Sequence, residues 1–167
     1  MIQPAKPKYE YMHPNVQLIH RFYTAFQQKD YITMQSCYAN DAVFSDPAFV
    51  NLNSAEVKAM WEMLIKKGKD LQLEFENITA DDQQGSADWK ATYTFSQTGK
   101  KVINQIHASF RFREGKIISH HDHFSFYRWS RQALGAIGWV MGWSTWLQQK
   151  VQAGAGKNLR IFMESKV

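Results

Sequence analysis

An α+β domain is what this sequence predicts, on three observations. Helical periodicity governs the first third of the chain. Long strand-like runs joined by tight turns follow it. A glycine- and tryptophan-rich helical segment comes after those. Residues 1–12 read as an N-terminal arm, 13–128 as one domain and 129–167 as a C-terminal helical extension.

The first helix is expected from His13, with Pro14 in its opening turn and Val16, Ile19, Phe22, Tyr23 and Phe26 recurring at helical spacing. Asp30 is placed to cap a second, short helix over residues 31–38. Ala42, Phe44 and Asp46 then alternate, which predicts a short strand halted by Pro47. Asn53 and Glu56 have capping-box spacing ahead of a third helix. Val57, Met60, Trp61, Leu64 and Ile65 form its apolar stripe, and Lys66-Lys67-Gly68 supplies a basic last turn and a stop.

Next, Leu71, Leu73 and Phe75 alternate with Gln72, Glu74 and Glu76. Residues 87–97, 102–113 and 116–127 read as three further strands, with turns at Thr98-Gly99-Lys100 and Glu114-Gly115.

Composition narrows the function classes. The 167 residues are 44% hydrophobic and 14% aromatic, enough for a core and a lined cavity in one domain. A single cysteine, Cys37, excludes an internal disulfide and is expected to be inert packing. No signal-like run opens the chain and the longest apolar-rich stretch, 133–146, is too short to span a bilayer, so a cytoplasmic protein is expected. The net charge is +5, but its basic residues are scattered rather than gathered in a patch, which argues against nucleic acid as a partner.

Two motifs carry a resemblance. One is Tyr-Ala-Asn-Asp-Ala-Val-Phe-Ser-Asp-Pro over residues 38–47; the other is Phe-Arg-Phe-Arg-Glu-Gly-Lys-Ile-Ile over 110–118. With them, residues 13–128 resemble the nuclear transport factor 2-like (NTF2-like) superfamily, in its SnoaL-like and ketosteroid isomerase-like branches. The resemblance implies a cone-shaped, cystatin-like fold, with a curved antiparallel sheet wrapped around three N-terminal helices. It further implies a small hydrophobic ligand, no cofactor, and a homodimer formed through the outer sheet face. The same fold hosts isomerases, dehydratases, cyclases, epoxide hydrolases and non-catalytic binding proteins, so the reaction stays open.

Carried over residue by residue, the resemblance is incomplete. Asp46-Pro47 looks like the proton-shuttling aspartate of ketosteroid isomerases. The tyrosine of that family's oxyanion hole would fall on Phe22, with Tyr23 one residue off and about 100° around the helix, and its aspartic acid near Ala108. His121-Asp122-His123-Phe124 resembles the segment that holds one aspartate of limonene epoxide hydrolases. The matching arginine and second aspartate are missing from residues 89–92. Neither reaction is expected in its usual form.

Strand parity sorts the remaining candidates. Ile118, His120, Asp122, Phe124 and Phe126 share one face of the last strand; Ser119, His121, His123, Ser125 and Tyr127 share the other. The phenylalanine-bearing face is assigned to a cavity, so Asp122 and His120 look inward and Asp46 reaches in from the first strand. Asp46 and Asp122 are the expected acid/base pair, with His120 or Tyr23 orienting substrate. The wall is expected to include Phe22, Tyr23, Phe26 and Phe44, then Trp61, Trp89 and Tyr93, and finally Ala108, Phe110 and Phe124. The plainer alternatives are a turn-forming Asp46, an Asp122 bonded within the sheet, and aromatic side chains that are simply core.

His107, His121 and His123 fall on the opposite face. Their types suit a metal, but that face is assigned to a dimer contact, and no metal site is expected. The extension has three candidate uses, in order of preference: a lid over the pocket, a dimer-stabilising arm, or a membrane-surface contact.

Overall fold

The structure is a computed structural model that describes residues 12–166, so the expected arm lies outside the described residues except for Met12. Helix α1 (Pro14–Gln27) begins where proline suits the first turn and the His13 ring accepts the Asn15 N–H at 3.1 Å. Asp30 accepts the Thr33 N–H at 3.0 Å and caps α2 (Tyr31–Ser36). α2 ends two residues early. The chain turns at Cys37 into β1 (Tyr38–Ser45), which therefore starts four residues before the expected strand. α3 (Ser54–Lys67) carries the full capping box: Asn53 accepts the Glu56 N–H at 3.0 Å, and Glu56 accepts the Asn53 N–H at 2.8 Å.

Four strands follow: β2 (Gln72–Ala80), β3 (Gln84–Phe95), β4 (Lys100–Arg113) and β5 (Lys116–His123). With β1 they form one curved sheet in the order β1-β5-β4-β3-β2. β2 to β5 are an antiparallel meander, and Glu114 and Gly115 close the last hairpin with positive φ at both positions. The sheet is not antiparallel throughout, because β1 lies parallel to β5. Residues 46–115 separate the two, so no tight hairpin dictates their direction.

Two expectations about the last strand are overturned. It ends at His123, and Ser125 accepts the Arg128 N–H at 3.2 Å to cap a new helix, α4 (Phe126–Leu134). Phe126 and Tyr127 are thus helical, since Phe126, Trp129 and Ala133 bury together at helical spacing. The second concerns Ile118. Arg111 pairs with Ser119 but Phe112 pairs with Ile117, so a bulge inserts one residue into β5. Ile117, not Ile118, enters the core there, and regular alternation then carries His120 and Asp122 inward.

After α4 come α5 (Ala136–Met141) and α6 (Thr145–Glu164). Ser144 caps α6 by accepting the Leu147 N–H at 3.2 Å, and the helix runs on through Gly154 and Gly156. Its far end is pinned to α3, where the buried Glu62 pairs with Lys66 at 2.6 Å and with Lys166. Leu159 joins the main core between sheet and helices, while Leu147 joins a smaller one with Val102, Phe126, Trp129 and Ala133. No described helix is long and apolar enough to cross a membrane.

Candidate functional site

A cavity of about 530 Å³ lies between the two apolar cores. Phe26, Met60 and Trp61 form one side, Trp89, Tyr93 and Ile106 of the sheet another, and Trp129, Leu147, Val151 and Ala155 a third. The third side comes from α4 and α6, so the extension is a wall of the cavity and not merely a cover for its mouth. Gln148 and Gln152 of α6 both donate to the Pro47 carbonyl, at 3.2 and 3.1 Å, which fixes this wall beside the β1–α3 loop.

Asp46 and Asp122 both line this cavity. Asp46 sits where β1 ends, and its Oδ1 accepts the backbone N–H groups of Ala48 and Phe49 at 2.7 and 2.6 Å. The turn that Pro47 imposes is what aims these amides at the carboxyl. Loss of hydration raises the Asp46 pKa to about 7; the two backbone bonds oppose this shift and the nearby charge of Asp122 adds to it.

Asp122 is held from behind. Its Oδ1 accepts Trp89 Nε1–H at 3.2 Å and lies 3.0 Å from His120 Nε2. His120 Nδ1 is 2.6 Å from the Tyr38 hydroxyl, which accepts Trp61 Nε1–H at 2.9 Å. One assignment satisfies every partner: Trp61 donates to Tyr38, Tyr38 to His120 and His120 to Asp122. Both bonds to Asp122 fall on Oδ1, which leaves Oδ2 for a molecule in the cavity. Burial, above all, holds the Tyr38 phenol well above its usual range, keeping it a donor.

The structure separates the expected wall residues into two sets. Phe26, Trp61, Trp89, Tyr93 and Phe124 lie on the wall. Phe22, Tyr23, Phe44, Ala108 and Phe110 lie in the packed core behind it, with His120 among them. His120 is buried there, off the cavity wall, and bonded to Asp122. The Tyr23 hydroxyl is buried with no hydrogen-bond partner, and burial followed by the Asp122 charge raises its pKa.

Tyr38 and Trp129 were missed from the sequence. Tyr38 shares the even-numbered phase of Ala42, Phe44 and Asp46, but Asn40 between them is exposed and β1 shifts register against β5 after Tyr38, so simple alternation does not reach it. Trp129 lines the cavity and donates to the Tyr93 hydroxyl at 2.9 Å. Its helical spacing from Phe126 and Ala133 was the available signal.

On the other face of the sheet, the His121 and His123 rings stack with centroids 4.1 Å apart. His107, opposite His123, bonds Asp88 at 2.7 Å. Partial burial and then the His123 charge lower the His121 pKa. Among the described residues no three His, Cys, Asp or Glu side chains are grouped to hold a metal. Cys37 is buried at the end of α2, and burial raises its thiol pKa.

A family model described as SnoaL-like domain matches residues 19–120. A comparison with curated proteins found no match. Among solved structures, IdmH, an inferred polyketide cyclase from Streptomyces antibioticus, superposes with a TM-score of 0.61 at 20% identity, over 75% of this chain and 100% of that one. An inferred polyketide cyclase from Xanthomonas campestris pv. campestris gives 0.61 at 17% identity, over 71% and 96%. An LEH-like epoxide hydrolase from M. tuberculosis gives 0.59 at 16% identity, over 72% and 90%. Likeness at these identities is likeness of fold. The three are covered nearly end to end, whereas a quarter or more of this chain has no counterpart in them.

Proposed function

The chain belongs to the SnoaL-like domain family, and from that premise we propose that it binds a small, mostly apolar molecule and moves protons on it without a cofactor. The observation that carries this reading is the placement of two aspartates, Asp46 and Asp122, on the lining of one mostly apolar cavity, one of them with a pKa raised to about 7. A carboxyl half ionised at neutral pH is matched to both taking and returning a proton.

Asp46 is the base: its carboxylate takes a proton from an acidic C–H or from water, becomes a carboxylic acid, and returns the proton elsewhere on the molecule. Asp122 Oδ2 faces the developing charge change, while Trp89 and His120 fix its orientation. Tyr93 and Trp61 supply flat apolar contact. Isomerisation, cyclisation, dehydration and hydrolysis all fit such a site, and the similar folds include two described as inferred polyketide cyclases and one described as an LEH-like epoxide hydrolase.

One observation favours a second reading, a non-catalytic binding protein. The backbone bonds from Ala48 and Phe49 are also those of a purely turn-forming aspartate. An experiment that needs no known substrate separates the two. Apolar compounds are screened by thermal shift, binders are incubated with protein in D₂O, and deuterium uptake into carbon positions is read by mass spectrometry. Catalysis gives uptake with the native protein and none with Asp46→Asn, which keeps an acceptor for the turn. Equal binding with neither deuterium uptake nor a mass change from water added or lost, by either protein, assigns the cavity to binding alone.

The homodimer through the outer sheet face belongs to this proposal. The exposed His107 and His123 and the His121–His123 stack on that face support it, and sedimentation at micromolar concentration tests it.

A further inference from the structure

The segment joining α4 to α6 presents an unusual surface beside the cavity. Ile137, Trp139, Val140, Met141, Trp143 and Trp146 are exposed, Val140 to 70% and Trp143 to 78%. Six large apolar side chains within ten residues form one patch, of a kind that marks a contact surface. Close packing holds it outward: a Cβ on Gly138 would overlap the Ser130 carbonyl, and one on Gly142 the Ser130 hydroxyl.

Along this part of the chain the charge has one sign. From Phe124 to Met163 the chain carries Arg128, Arg131, Lys150, Lys157 and Arg160, with no aspartate or glutamate. The Arg131 guanidinium lies 3.2 Å over the Trp139 ring, and the Lys150 ammonium 5.6 Å from that of Trp146. Aromatic rings with cations over their faces match the polar boundary of a bilayer, where indole rings sit among headgroups and cations meet phosphates.

We propose that this patch docks on an anionic membrane surface. Charge decides against a second copy as the occupant. A two-fold contact would set the patch against its own image and bring two uncompensated sets of cations together. Ile137 of this segment, with Leu147 and Lys150 in the first turns of α6, lies on the cavity wall, so docking brings the cavity to the lipid. The ligand is then an apolar molecule drawn from the membrane; this last step rests on the cavity being a ligand site.

The test is co-sedimentation of the full chain with vesicles of phosphatidylcholine alone and of phosphatidylcholine mixed with phosphatidylglycerol. Binding is expected with the mixed vesicles, weakening as salt is raised, and little with the neutral ones. The double variant Val140→Ser/Trp143→Ser is expected to lose about tenfold or more of the partitioning, with its thermal midpoint kept. Absence of binding to anionic vesicles overturns the proposal, as does equal binding by the double variant. A concentration-dependent dimer that the double variant abolishes also overturns it, giving the patch to a second copy. Uptake of a water-soluble apolar dye is measured separately in the native protein without vesicles. Dye binding without vesicle binding leaves the cavity reading standing alone, and the reverse leaves docking standing alone.

Discussion

His120 Nε2 lies 3.0 Å from Asp122 Oδ1, two residues along the same strand, with both side chains buried, Asp122 on the cavity wall and His120 behind it. Neighbours two apart on a strand stand side by side on one face, so this contact follows from the alternation of β5 once the bulge at Ile118 has passed. In the proposed reaction His120 is a positioning residue. Behind it the Tyr38 hydroxyl and Trp61 indole continue the chain of bonds to α3.

Tyr38→Phe tests that chain. It leaves His120 Nδ1 and Trp61 Nε1 buried without their partner, at a cost of about 1–3 kcal/mol. Urea denaturation is expected to show this loss with an unchanged slope. Trp61→Phe in the Tyr38→Phe background is then expected to cost less than it does alone, because the two side chains share one network. Additive losses would mean that the bonds are incidental.

Asp46 sets a pH dependence of stability. Its folded pKa of about 7 lies above the ordinary 3.8, so between those values the folded protein keeps a proton that the unfolded chain releases. Stability from this group is therefore full at low pH and falls as pH rises from about 4 to about 7, staying flat above. Thermal midpoints of the native protein and Asp46→Asn are expected to diverge across this window, with the variant relatively more stable at pH 8 than at pH 5. Parallel curves would remove the raised pKa.

Gly154 faces the cavity from α6, and a Cβ there meets nothing within 4 Å. Gly154→Leu puts a side chain into the cavity while replacing a poor helix former by a good one, worth roughly 0.8 kcal/mol in a helix interior. A raised thermal midpoint together with loss of ligand-induced thermal shift is the expected pair of results. Ligand binding undiminished in this variant would place the ligand elsewhere.

Much of this was legible in the sequence because it is written in local patterns. The Asn53–Glu56 capping box, the Gly68 stop and the Glu114-Gly115 turn each depend on a few adjacent residues, and each stands where expected. Inward-facing Asp122 followed from strand parity. What parity could not carry was the bulge at Ile118, since an inserted residue shifts the phase without altering composition. The end of β5 was misjudged because Phe124, Phe126 and Tyr127 suit a strand as well as a helix, and Ser125 decides the matter as a cap. Parallel pairing of β1 with β5 and the wall contributed by α6 are contacts between distant segments. No local spacing reports them, and for the same reason the link from Tyr38 to His120 went unread.

The most direct measurement of the central claim is a ¹³C NMR titration of the aspartate side-chain carboxyl groups in the native protein, assigned with Asp46→Asn. A carboxyl resonance titrating near pH 7 that vanishes in Asp46→Asn, and whose midpoint falls in Asp122→Asn as the neighbouring charge is removed, is the predicted result. An Asp46 resonance titrating at the ordinary 3.8, unmoved by Asp122→Asn, would contradict the account and leave Asp46 as a turn residue.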